Sequence, residues 1–271
     1  SNVKDVRLLF EEGNWYGILS STSSNRLYRL SFGASLLNAA VAEDLGVSGN
    51  WNSLRGIDLA VTGSDVIVLV SGYSSGSLTL VRFQGGIVND PDPVADILEV
   101  SDVSLVSGPM GISLLETEIG WYGLVASFSN NKLLKLSFGT ELFSDPEVSE
   151  VITGSSLSSP TSVSLQREGF NYYGLVMERN NGLRAIDFGN TLSGGSLLEE
   201  LTIGTLGELS NVFAFKVEKD GFDWSGLAVS ATSKVSLLSF STDSCAYISS
   251  STSSEYEPLG ISYDSSGTFA I

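Results

Sequence analysis

No histidine occurs anywhere in the 271 residues, and cysteine occurs once, at Cys245. The first absence excludes Ser-His-Asp and Cys-His nucleophile systems, histidine general bases and His-ligated zinc. The second excludes an internal disulfide, so the fold rests on packing. With no histidine to activate it, Cys245 reads as a small buried hydrophobe. Basic residues are scarce, 14 against 31 acidic, for a formal net charge of −17. Such a molecule is repelled by phosphate backbones and anionic bilayers, which argues against nucleic-acid partners. The longest apolar run, VIVLV at 66 to 70, is far short of a membrane span, so direct membrane insertion is not expected. Charged residues make up only 17%, and Ser, Gly, Thr and Asn fill the polar positions in the manner of exported, β-rich surface proteins. An extracellular or cell-surface setting is the expectation. With 42% hydrophobic residues the chain can bury a large core.

What is present is repetition. NWYGILSSTSSNRLYRLSFG at 14 to 33 returns as GWYGLVASFSNNKLLKLSFG at 120 to 139, as NYYGLVMERNNGLRAIDFG at 171 to 189 and as DWSGLAVSATSKVSLLSFS at 223 to 241. A more degraded copy is DVIVLVSGYSSGSLTLVRFQ at 65 to 84. Each copy is an apolar run, a polar Ser/Asn/Gly cluster and an alternating run, which is a β-hairpin with NNK, NNG or SSG tolerating positive φ. A further apolar segment precedes each hairpin and closes on a glycine, at 13, 63, 120, 169, 221 and 267. A fourth run follows each of the first five, in AAVAEDLGV, VADILEV, SEVITG, LLEELTIG and CAYISS. Four strands in a period of about fifty residues is the unit of a β-propeller blade. No apolar i, i+3, i+4, i+7 pattern persists, so helix is not expected. The expected architecture is one all-β propeller over 1–271 with blades at 1–52, 53–107, 108–158, 159–208, 209–256 and a partial 257–271: six-bladed, or five-bladed as the alternative. Because the last repeat supplies only GISYDSS and TFAI, the reading expects the natural chain to continue beyond Ile271 or to begin before Ser1.

Repeated residues read as packing, since ligand contacts should differ among blades while wedge-filling side chains should recur. Trp15, Trp121, Tyr172 and Trp224 open the second strands, Phe32, Phe83, Phe138, Phe188 and Phe240 close the third, and Gly17, Gly123, Gly174 and Gly226 permit close approach. In the first strands the apolar pairs are Val6/Leu8, Ile57/Leu59, Ile112/Leu114, Val163/Leu165, Phe213/Phe215 and Ile261/Tyr263. Arg7 and Asp58 interrupt that pattern at the position otherwise held by Ser113, Ser164, Ala214 and Ser262; in the central channel they are expected to pair with each other or to be hydrated, with a ligand contact as the alternative.

The run W/Y-Y-G-L-V, polar turn, L-x-x-L/I-x-F-G-N/T-x-L, as in 121 to 142 and 171 to 192, resembles blades of six-bladed propeller modules from large surface and secreted proteins of gliding bacteria that use the type IX secretion system. The match covers most of the chain, with FQGG at 83 to 86 and FSTD at 240 to 243 departing from the FGN pattern. The resemblance implies an uncharacterised binding or spacer domain in an adhesin-like chain and supplies no catalytic motif.

Glycosidase chemistry on a propeller needs acids converging at one mouth of the channel. The carboxylates fall mostly in turns, such as Glu11, Glu118 and Asp220, or on outer strands, such as Glu43, Asp96 and Glu199, and read as solvated faces. NDPDPVAD at 89 to 96 has the charge to attract calcium but no EF-hand or nonapeptide spacing, so it reads as a rigid acidic loop and no cofactor is expected. The non-repeating loops carry Trp51, Tyr73, Arg179 and Tyr256, which either contact a sugar or peptide or anchor the loops to the rim. The functional expectation is a non-enzymatic binding or scaffold module within a larger secreted, adhesin-like protein, with a glycan or protein partner at the loop face. The alternative is a carboxylate-based glycoside-active propeller enzyme.

Overall fold

A computed structural model describes residues 3–47, 49–151, 157–179, 182–192, 196–201, 212–220, 223–230, 234–240, 247–253, 262–263 and 269–270. Among the described residues there is no helix. The first sheet takes β1 (Val3–Glu11), β2 (Asn14–Ser21), β3 (Arg26–Gly33) and β4 (Val41–Asp44), each antiparallel to the one before. The second takes β5 (Leu54–Thr62), β6 (Asp65–Gly72), β7 (Ser77–Phe83) and β8 (Ile97–Glu99), and the third β9 (Pro109–Thr117), β10 (Gly120–Ser127), β11 (Lys132–Gly139) and β12 (Glu147–Glu150). The fourth takes β13 (Pro160–Glu168), β14 (Asn171–Glu178), β15 (Gly182–Gly189) and β16 (Ser196–Leu201), and the fifth β17 (Val212–Asp220), β18 (Asp223–Ser230), β19 (Lys234–Phe240) and β20 (Tyr247–Ser253). A last pair, β21 (Ser262–Tyr263) and β22 (Phe269–Ala270), forms a two-stranded sheet. The innermost strands touch in a cycle, β1 to β5, β9, β13, β17, β21 and back to β1. The molecule is a β-propeller.

The hairpin turns obey the local chemistry of their sequences. Asn25, Gly76, Asn131 and Gly182 close the turns between second and third strands at φ of 53, 66, 59 and 88°. Glycine, or asparagine with its short polar side chain, takes this left-handed region at least cost.

The core is a series of layers between blades, because each sheet buries one face against the sheet before it and one against the sheet after. Val66, Val68 and Val70 of β6 pack on Ile18 and Leu27 of the first blade, while Ile67 and Leu69 turn the other way onto Ile112, Trp121 and Val125 of the third. Leu124 and Ala126 then meet Val163, Leu165, Tyr172 and Phe188, and Leu175 and Met177 meet Phe215 and Val217. Each fully buried aliphatic here is worth about 1.5–3 kcal/mol over its exposed state. Trp121, Tyr172, Phe83, Phe138 and Phe188 are all buried, as their recurrence implies. Trp15 and Phe32, on the first-blade face turned toward the two-stranded sheet, are half-buried, and Trp15 also stacks on Phe10 with ring centroids 5.0 Å apart. The side chains of Trp224 and Phe240 lie outside the described residues. A Cβ added to Gly174 would come within 3.2 Å of Leu124 in the neighbouring blade, whereas at Gly17 and Gly123 it would meet only leucine side chains at 3.3 Å.

The ladder corrects one alignment. Lys216 faces Leu227 as Arg7 faces Ile18 and Asp58 faces Leu69, so the fifth apolar pair is Phe215/Val217 and Lys216, not Ala214, is the equivalent of Arg7.

Candidate functional site

Bulges create the site. Every four-stranded blade has a register irregularity at the start of its inner strand, between Val3 and Asp5, Leu54 and Ile57, Pro109 and Ile112, Pro160 and Ser162, and Val212 and Ala214. A bulge leaves a residue out of the ladder and re-aims its side chain. The residues so released, Lys4, Arg55, Gly56, Met110, Gly111 and Thr161, line a cavity of about 340 Å³ at the end of the channel where the inner strands begin. That volume lies within the range of about 300–1,000 Å³ usual for small-molecule pockets. Asp5, Ser162 and Ala214 line it from the next position, with Arg7 and Phe215 further in.

The inner strands approach closely here. A Cβ on Gly56 would fall 1.8 Å from the Met110 carbonyl oxygen, and one on Gly111 would fall 2.5 Å from Ser162 Cα. Hydroxyls stitch the junctions: Ser20 Oγ donates to the Arg55 carbonyl (2.9 Å), Ser71 Oγ to that of Met110 (3.2 Å), Thr161 Oγ1 to that of Val212 (2.9 Å) and Ser162 Oγ to that of Phe215 (3.1 Å).

The rim repeats as well. Tyr73, Phe128 and Arg179 are the first residues after β6, β10 and β14, and their amides donate to the carbonyls of Ser53, Gly108 and Ser159. They form a row across three blades: Arg55 lies 5.1 Å from the Tyr73 ring centre, Tyr73 and Phe128 are 6.1 Å apart, and Arg179 lies 5.8 Å from Phe128. The result is two aromatics tilted 54° to each other and flanked by two guanidinium groups, an arrangement in which each cation gains from a ring face.

The acidic side of the site is small. Asp58 accepts Arg7 Nε at 2.9 Å and the Leu114 amide at 2.7 Å, which fixes the predicted Arg7–Asp58 pair. Asp5 Oδ1 accepts from Arg7 and from the Val6 amide, and its Oδ2 accepts the Ile57 amide at 3.0 Å. Three of roughly four acceptor positions on Asp5 are thus used, leaving one for a ligand or water. Burial pushes the Asp5 carboxyl above the ordinary carboxylate range, against the pull of Arg7. Burial also opposes the charge on Arg7, but Asp5 and Asp58 together outweigh it and hold that guanidinium above its ordinary value. Burial, and then the neighbouring Arg55 charge, hold the Lys4 ammonium below its ordinary value. Arg55 is lowered first by burial, with Tyr73 opposing and Arg179 adding to the effect.

Of the four loop residues singled out in the sequence, two come together: Tyr73 and Arg179 both line the pocket. Trp51 is buried instead, 6% exposed, with its indole N–H donating to the Asn25 carbonyl, so it anchors its loop and offers no face to a ligand. Tyr256 lies outside the described residues. Sequence reasoning passed over Lys4, Asp5, Arg55 and Phe128. Aligning the copies on Gly17, Val68, Gly123 and Gly174 places Lys4 opposite Arg55 and Tyr73 opposite Phe128 and Arg179, which was the available signal. In the acidic loop at 89 to 96, Asp90 pairs with Arg29, Asp92 accepts the amides of Val94 and Ala95, and Asp96 binds Arg82. Among the described residues no group of three His, Cys, Asp or Glu side chains is placed to hold a metal ion.

No family model and no curated protein matches the sequence. Solved structures do match the fold. A candidate 6-phosphogluconolactonase from Bacteroides fragilis aligns at TM-score 0.64 and 12% identity, over 97% of this chain and 74% of that one. AofleA from Arthrobotrys oligospora aligns at TM-score 0.64 and 9% identity, over 99% and 77%. CoXyl43, a GH43 beta-xylosidase/alpha-arabinofuranosidase from a compost metagenome, aligns at TM-score 0.51 and 10% identity, over 99% and 94%. These identities establish shared architecture. Enzymes acting on sugars stand among the structures with that architecture, and this overturns the expectation of a non-enzymatic surface module. The expectation rested on a shortage of acids at the channel mouth, and it overlooked Asp5, which the first bulge brings to the pocket wall.

Proposed function

We propose that the chain is a sugar-directed hydrolase working in the central pocket, with Asp5 as its acid–base group and a sugar lactone as its substrate class. The observation that carries this reading is Asp5 itself, the one carboxylate lining the pocket among the described residues. A retaining or inverting glycosidase requires two carboxyl groups across the scissile bond. Asp58 is withheld from that role by Arg7 and the Leu114 amide. Attack on a carbonyl needs one base and a cation facing the developing oxyanion.

In this scheme the sugar ring rests on Tyr73 and Phe128. The free position on Asp5 takes a proton from water as the water oxygen adds to the lactone carbonyl carbon. Lys4, next to Asp5 on the pocket wall, faces the negative oxygen of the tetrahedral intermediate. Collapse breaks the ring C–O bond, and Asp5 returns its proton to the departing alkoxide, giving the open hydroxy acid. The neighbours' printed activities on sugar substrates support the substrate class.

The test is acid release, followed with a pH indicator, from a panel of sugar lactones and aryl glycosides. Lactone opening above the buffer rate is expected, falling about 10²–10⁴-fold in Asp5→Asn. No turnover of any panel member would sink the reading, and turnover of aryl glycosides alone would move the chemistry to the glycosidic bond.

A further inference from the structure

We infer that the pocket takes an anionic sugar derivative, one carrying a phosphate or carboxylate that sits between Arg55 and Arg179; this rests on the pocket being the site of action. The chain as a whole carries a net charge of −17, yet its pocket gathers Lys4, Arg7, Arg55 and Arg179 against the single carboxylate Asp5. Of these, Arg7 is neutralised by Asp5 and Asp58. Elsewhere most cations are neutralised, Arg26 by Asp44, Arg29 by Glu43 and Asp90, Arg82 by Asp96 and Lys132 by Glu150, while Lys135 donates to the Leu192 carbonyl. Among the described residues no carboxylate pairs with Lys4 or Arg55. In an acidic protein counter-charges are abundant, and two cations without one, Lys4 and Arg55, stand together on the wall of this pocket.

A second observation is independent of charge counting. Arg55 Nε is buried and has no hydrogen-bond partner. A buried donor left unmade is costly, and sites where this persists call for a ligand or ordered water. A phosphate or carboxylate oxygen satisfies such a guanidinium with short, charge-assisted bonds and brings the missing negative charge. The Tyr73–Phe128 row between Arg55 and Arg179 offers an apolar seat for the face of the sugar ring, so one ligand can use the rings and the cations together.

The test is calorimetric titration of the full chain with glucose 6-phosphate, glucuronate, neutral glucose and inorganic phosphate. Binding of at least one charged sugar about tenfold tighter than glucose is expected, and the two charged probes decide between phosphate and carboxylate. Arg55→Gln and Arg179→Gln should each weaken that probe about tenfold and leave glucose unchanged. Because a variant can lose its fold, the wild-type protein supplies a second reading: raising salt from about 50 to 500 mM should weaken the charged probe severalfold and not glucose. Equal binding of glucose and both charged sugars, or charged binding indifferent to salt, overturns the inference. Charged-sugar binding by the wild-type protein, with no hydrolysis of any lactone or glycoside by that same protein, would uphold it and bring down the hydrolase reading instead.

Discussion

Asp5 shows what position does to a common residue. A surface aspartate ionises near 3.8, but this one is buried among cations and its carboxyl is raised. A raised value in the folded state means that the folded protein holds this proton more tightly than the unfolded chain. Its contribution to stability is therefore fully present below the unfolded value and is lost as pH rises through the folded one. Urea unfolding between about pH 4 and pH 7 should show that decline in the wild type and a flatter profile in Asp5→Asn. As a base the group must lose its proton, so the acid limb of the rate profile should stand above 3.8. Glu178 makes the contrasting case. It is fully buried and accepts Arg184 Nε at 2.7 Å and the Ser158 amide. Gln removes the charge-assisted acceptor that Arg184 Nε uses in a buried site, so Glu178→Gln should lower unfolding stability by about 1–3 kcal/mol in denaturant titration.

At the scale of the element, the bulged inner strand is the device that turns a repeating scaffold into a site. Without the irregularity at Leu54/Ile57, Arg55 would be an ordinary ladder residue and Gly56 could carry a side chain. With it, the second and third inner strands meet backbone to backbone, and a Cβ on Gly56 would overlap the Met110 carbonyl. Gly56→Ala should therefore cost about 1–3 kcal/mol or more and reshape the pocket wall. Gly63, with φ of 63° and nothing within 4 Å of an added Cβ, is the control: alanine there should cost only the strain of its backbone angle, about 1–2 kcal/mol. Thermal melts of the two variants together with probe binding separate the effects, since Gly63 lies at the opposite end of the strand from the pocket.

Across the whole molecule the two ends of the channel differ in chemistry. The exposed large hydrophobics Phe10, Val61, Ile119 and Phe170 lie at the turns between first and second strands, and Leu37, Val41, Val88 and Val94 at the connections between third and fourth. All of these are at the end away from the pocket, because each inner strand begins at the pocket and runs away from it. Ile119 and Phe170 are 66% and 82% exposed. The double variant Ile119→Ser/Phe170→Ser should lower binding of an apolar fluorescent dye while leaving charged-sugar titrations at the pocket unchanged.

The sequence by itself determined the repeat, the four-strand unit, the positive-φ turn residues and the packing role of Trp121, Tyr172, Phe83, Phe138 and Phe188. All of these follow from periodicity and from the conformational limits of single residues, which act within one blade and so are written once per repeat. It also carried the Arg7–Asp58 pair, because a charged residue in an otherwise small or apolar column needs a partner of opposite sign close by. Only the tertiary structure decided the site. Lys4, Asp5 and Arg55 look like ordinary strand-start polar residues until bulges lift Lys4 and Arg55 out of the ladder and set Asp5 beside them, and register is a property of paired strands that no single strand records. Trp51 and Tyr73 look alike as loop aromatics, but one finds the Asn25 carbonyl and the apolar layer against the first blade, and the other finds Arg55 and Phe128 at the channel mouth. Whether a loop aromatic is buried or lines the pocket depends on what the ring brings opposite it, which is geometry between blades and is absent from any one of them.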